Sequence, residues 1–174
     1  LCMHLTCRKD PFTKESELDA ANLEQFLKKY PSLTCLALSD GCARRQGATV
    51  LKNFLINNTC LKNLNLRDNM LFGSDIAPIA EGLSQNSTLV SLTLGRVELD
   101  SSDKDKIHRT LRQHSTLTTL TLHHLSSMMH AGYFLNVFPS LTSLHLVKSD
   151  DFMGEIESMC DALMQHTSLE KLSV

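Results

Sequence analysis

Apolar residues recur along the chain in the spacing L-x-x-L-x-L, at Leu33-Leu36-Leu38, Leu61-Leu64-Leu66, Leu89-Leu92-Leu94, Leu117-Leu120-Leu122 and Leu141-Leu144-Leu146. The pattern returns as Leu169-Leu172-Val174, and Met3-x-Leu5 carries half of it near the start. Successive first leucines are 28, 28, 28, 24 and 28 residues apart, which marks an internal repeat. Within each unit the second and third leucines share one face of a short strand.

A second register runs between the strands. Ten residues before each first leucine stand Leu23, Leu51, Ile79, Ile107, Ala131 and Met159; six before it stand Leu27, Leu55, Leu83, Leu111, Leu135 and Leu163. A separation of four is one face of a helix, so each unit predicts a strand, a connection and a helix of about three turns. Helix ends are expected at Asn58, Asn86, His114 and His166, and at Tyr30-Pro31 and Phe138-Pro139. There Asn would take the left-handed conformation, and Pro cannot continue the helix. Ser101, Ser102 and Asp103, ahead of Ile107, are expected to cap a helix start.

No unit can bury both its strand and its helix face, so neighbours must stack in parallel. The expected fold is α/β, a right-handed leucine-rich repeat solenoid or horseshoe with strands on the concave face and helices on the convex face. Residues 1–174 read as a single domain of about six repeats. The leucines are then scaffold, each contributing ~1.5–3 kcal/mol on burial.

The period, the outer helix and units such as "NSTLVSLTL" and "NTCLKNLNLRDN" resemble the ribonuclease-inhibitor-like class of leucine-rich repeats. The resemblance implies a non-enzymatic protein-recognition module, as in the sensing or regulatory part of NOD-like receptors in innate immunity. Ribonuclease inhibitor, tropomodulin-type actin-capping domains and Ran GTPase-activating proteins are similar at this level. The alternatives are therefore a structural or autoinhibitory spacer within a larger parent, or a GTPase-activating protein using Arg67, Asp68 and Asn69. The loop asparagine such repeats usually carry is present only as Asn69; Gly41, Val97, Leu125 and Ser149 stand elsewhere. The unit beginning at Leu117 is four residues short, and a local change of curvature is expected there. Because "LCMHL" and "LEKLSV" read as strands, further repeats or domains of the same parent are expected on either side.

Composition narrows the partner. With 42% apolar and 21% charged residues the chain is globular, and a net charge of −2 gives no chain-wide attraction for nucleic acid or anionic lipid. No apolar run approaches the ~18 residues that cross a bilayer. A protein partner, no membrane, no cofactor and a cytoplasmic setting are the expectations. The six cysteines form no C-x-x-C pair and read as reduced thiols, although Cys2 and Cys35 share an offset on adjacent strands, within bridging range. Asn57-x-Thr59 and Asn86-x-Thr88 match the glycosylation pattern, but the helix-end repeat generates that pattern by itself.

Chemistry would sit on the strand face opposite the leucines. Its columns carry Asn63, Asn65, Arg67, Thr119, Thr121, His123 and His145, with Asp68, Arg96 and Lys148 at strand ends. These ten are the candidate partner-binding residues. His123 and His124 point to opposite sides, so they cannot chelate one ion; the diagonal His123–His145 pair lies roughly 8 Å apart by strand geometry. Zinc needs three or four ligands, and no Cys, Asp or Glu neighbours that pair. An open sheet gives a Ser or Thr no enclosure for acid–base catalysis. Imidazoles beside Arg96 and Lys148 are instead expected to weaken binding below about pH 6.5. Phe152, Met153, Met128 and Met129 fill gaps in irregular units or form an apolar rim.

Overall fold

A computed structural model of the chain describes residues 1–6, 20–111, 116–124, 128–147 and 156–174. Strands β1 (Cys2–Thr6), β2 (Cys35–Ser39), β3 (Asn63–Leu66), β5 (Ser91–Gly95), β7 (Thr119–His123), β8 (Ser143–Val147) and β9 (Lys171–Ser173) form one parallel sheet in chain order. Helices α1 (Ala20–Lys29), α2 (Gln46–Asn57), α3 (Gly73–Ser84), α4 (Ser101–Leu111), α5 (Met128–Val137) and α6 (Ile156–Gln165) connect them. A second, two-stranded sheet pairs β4 (Leu71–Phe72) with β6 (Val97–Glu98), which the leucine pattern did not predict.

The repeat sets the register. Leu36, Leu64, Leu92, Leu120, Leu144 and Leu172 pair in one row across six strands. All of them are buried except Leu172, which is 44% exposed. The helix positions at the second register are buried too, with only Leu163 half-buried. A parallel sheet needs a crossover between strands, and the apolar stripe of each helix closes that crossover over the leucine side.

The unit boundaries are held by side-chain amides, by a route the sequence did not predict. Asn58, the residue ending α2, has φ −89° and ψ 124°, extended and not left-handed. Its Oδ1 accepts from the backbone of Cys60 and Leu61, while its Nδ2 donates to Pro31 O. Asn86 repeats this one unit later, donating to Leu55 O and Asn58 O and accepting from Thr88 N and Leu89 N. At the equivalent place His166 Nε2 reaches Phe138 O at 3.1 Å. Buried backbone groups must be paired, and these side chains reach from one unit into the one before it. With its amide so engaged, Asn86 is closed to glycosylation in the folded chain.

The start of α4 also differs from expectation. Its cap is Asp100, whose Oδ1 accepts from Asp103 N at 2.8 Å, while Asp103 Oδ2 accepts from Asp100 N. Ser101 and Ser102 are the first helical residues. Asn69 is buried and spans two units, donating to Leu38 O and Leu66 O and accepting from Ala43 N. Val97, one repeat later, is buried in β6 and needs no such partner on its side chain.

The helix layer is uneven. Neighbouring helices pack along their lengths from α2 to α4 and again between α5 and α6, but α4 and α5 barely meet among the described residues. Tyr133 of α5 bridges that gap, its hydroxyl donating to Lys104 O at 2.8 Å. Burial, and then the nearby Asp105 carboxylate, push the Tyr133 phenol well above its ordinary range. The thin contact falls at the repeat that is four residues short.

Candidate interaction face

Strand alternation leaves one face of the large sheet without helices. Asn63 and Asn65 are exposed on it, and Arg67, Thr119, Thr121, His123 and His145 are half-buried. The parallel register fixes their spacing: Asn63 pairs with Ser91, Thr121 with His145, and Gly95 with His123. Of the ten predicted residues, these seven lie on one surface. Lys148, with Phe152 and Met153, lies outside the described residues, and the side chains of Met128 and Met129 are not described.

The strand ends share a conformation that the sequence concealed. Asp40, Asp68, Arg96 and His124 stand 28 residues apart and all have positive φ, between 46° and 60°. Each ends its strand by turning the chain in the left-handed region, uncommon outside glycine. This turn separates the adjacent histidines: His123 is the last residue of β7, and His124 belongs to the turn. Asp68 and Arg96 are thus rim residues of the open face.

Gly95 sits between Arg67 and His123 in the row nearest that rim. A methyl group there would fall 2.9 Å from Asp68 N and 3.2 Å from Arg67 Cα, so only glycine lets β3 and β5 close at this end. Arg67 Nε lies 3.3 Å from Asp68 Oδ2, and its backbone N–H donates to Asn65 Oδ1 at 2.9 Å. With Asn69 committed to backbone groups, the "RDN" triplet is an internally paired rim and a buried brace.

Farther along, Ser143 Oγ and His145 Nε2 are 2.9 Å apart on β8. Sequence reasoning missed this pair, although the period-two rule places i and i+2 on one face. Among the described residues no three His, Cys, Asp or Glu come together in a metal-binding group.

At the other end Cys2 and Cys35 are joined as a disulfide, with Cα atoms 4.4 Å apart. This corrects the expectation of two free thiols: the in-register pairing of β1 and β2 sets them side by side. They line a shallow hollow of about 380 Å³ with His4, Ala37, Asn63 and Asn65. On the helix side, a separate apolar cleft of about 300 Å³ lies between α1 and α2, walled by Leu27, Pro31, Val50 and Phe54. No helix among the described residues is long and apolar enough to cross a membrane.

The sequence matches no family model and no curated protein. Among solved structures, the chain is similar to leiomodin-1 actin-binding site 2, with a TM-score of 0.59 and 22% identity over 83% of this chain and 86% of that one. The fold is of the leucine-rich-repeat type. That likeness agrees with the row of paired leucines and with the ordered parallel sheet.

Proposed function

We propose that the chain is a non-enzymatic protein-recognition module that binds its partner across the open sheet face, the concave side of a right-handed α/β horseshoe. The observation that carries this reading is the register itself. It holds individually different polar side chains at fixed spacing on strands whose backbone groups already pair with one another. A partner would meet a pre-formed surface, with little ordering cost on this side. Affinity would be divided among several strands, Arg67, Thr121, His123 and His145 each adding a part.

Because the similar leiomodin domain is named as an actin-binding site, monomeric actin is the first partner to try. A photo-crosslinking residue placed at Thr93, on the open face, and separately at Thr49, exposed on α2, tests the reading. Adducts with actin, or with a defined protein from cell extract, are expected from the Thr93 position and not from Thr49. Adducts from Thr49 alone, or from neither, overturn it. The same reading sets the module in the cytoplasm, where the Cys2–Cys35 bridge would be an exception among thiols that glutathione keeps reduced. Alkylation mapping of Cys2 and Cys35 from intact cells checks that setting.

A further inference from the structure

We propose that the half of the open face formed by β5, β7, β8 and β9 binds an extended acidic segment of a protein partner. The segment would lie along a diagonal row of Lys171, His145, His123 and Arg96. This deepens the preceding reading and rests on it.

The row follows from the register. Lys171 pairs with Ser143, two residues before His145 on β8. His145 pairs with Thr121, two residues before His123 on β7. His123 pairs with Gly95, and Arg96 follows directly. Each of the first two steps crosses one strand and advances two residues, roughly 8 Å for strands ~4.8 Å apart rising ~3.3 Å per residue. An extended chain repeats its side chains on one side every ~7 Å. Carboxylates at alternate residues of such a chain would therefore meet successive members of the row, the lysine and arginine side chains taking up the difference.

Charge selects the occupant. The open-face columns of the seven strands contain no Asp or Glu. The rim carries two carboxylates, Asp40 and Asp68, in the first half, and Arg96 and His124 at the same repeat position in the second. Lys171 and Arg96 are exposed and cationic, and a neutral imidazole still offers one N–H donor. Thr93, Thr119, Thr121 and Ser173 flank the row with hydroxyls, and Ser143 holds the His145 ring. Glu98 belongs to the separate small sheet, and Asp68, on the rim one strand away from Arg96, marks where the row ends on the β5 side. A single-stranded nucleic acid, the other extended anion, stacks its bases best on large aromatic platforms, and the columns contain no Phe, Tyr or Trp.

The test uses the whole chain and labelled synthetic peptides of about ten residues, alternating Glu-Ser, Gln-Ser or Lys-Ser, with an oligothymidylate of equal length beside them. Fluorescence anisotropy should show the Glu-Ser peptide binding about tenfold or more tighter than the others, with affinity falling as salt rises. K171E and R96E, both at exposed positions, should each weaken it severalfold while circular dichroism stays unchanged. Equal binding of the Glu-Ser and Gln-Ser peptides, tighter binding of the oligothymidylate, or indifference to both charge reversals overturns the proposal. If that happens while Thr93 still gives its protein adduct, only the acidic-segment assignment fails. If the Thr93 adduct is lost as well, the open-face reading fails with it.

Discussion

Ser143 Oγ lies 2.9 Å from His145 Nε2, one residue apart from sharing a peptide bond on β8 and on the same side of the sheet. The contact fixes the imidazole in one orientation and occupies one of its two nitrogens. Replacing Ser143 with Ala should free the ring at a stability cost of about 0.5–1.5 kcal/mol. Ring-nitrogen NMR shifts of His145 should move, while those of His4, at the far edge of the sheet, stay in place.

The asparagine brace at the helix ends should matter more than its two residues suggest. Asn86→Ala removes donors to Leu55 O and Asn58 O and the acceptor for Thr88 N and Leu89 N, all but the Thr88 bond in a buried setting. Urea unfolding should show a loss of about 2–3 kcal/mol. Asn57→Ala, one residue from the other brace and exposed, should change little.

Position within the row of paired leucines should scale the cost of truncation. Leu120 is fully buried and Leu172 is 44% exposed, although both occupy the same place in their repeats. Leu120→Ala should cost ~2–5 kcal/mol, and Leu172→Ala well under half of that. Equal losses in thermal unfolding would show that the repeats do not share one burial scheme.

Acid should loosen the start of α4. The backbone N–H of Asp103, and then the Ser102 hydroxyl, hold the Asp100 carboxyl below its ordinary range. A depressed folded value means that the carboxylate stabilises the fold fully above the unfolded value near ~4, and loses that effect as pH falls through the lower folded value. The melting temperatures of the parent chain and of Asp100→Ala should therefore converge as pH is lowered from ~5 to ~2.

Most of the architecture was legible because it is carried by repetition. Leu36 and Leu120 occupy the same environment 84 residues apart, so one reading of the leucine spacing placed strands, helices and the open face together. What escaped was conformational. Nothing in the residue types Asp, Asp, Arg and His announces a shared left-handed turn at Asp40, Asp68, Arg96 and His124. Asn58 was read as a backbone terminator, whereas its side chain is the working part, and Asp100 displaced the serines as cap because it alone precedes the first helical residue. The candidate face was located by period two; its Ser143–His145 contact and its diagonal charge row emerged only with the register between strands.

Tyr133 has a consequence for how the molecule comes apart. In a chain of stacked units, stability is a sum of unit terms and nearest-neighbour couplings, and the weakest coupling decides where cooperativity breaks. Here the sheet runs on past the α4–α5 joint while, among the described residues, the helices touch little across it, and the bond from Tyr133 to Lys104 O is one of the few ties in the outer layer. Tyr133→Phe should cost about 1 kcal/mol overall. Hydrogen exchange should then resolve two cooperative blocks, one ending with α4 and one beginning with α5, so that a single phenol sets whether the array melts as one body or as two.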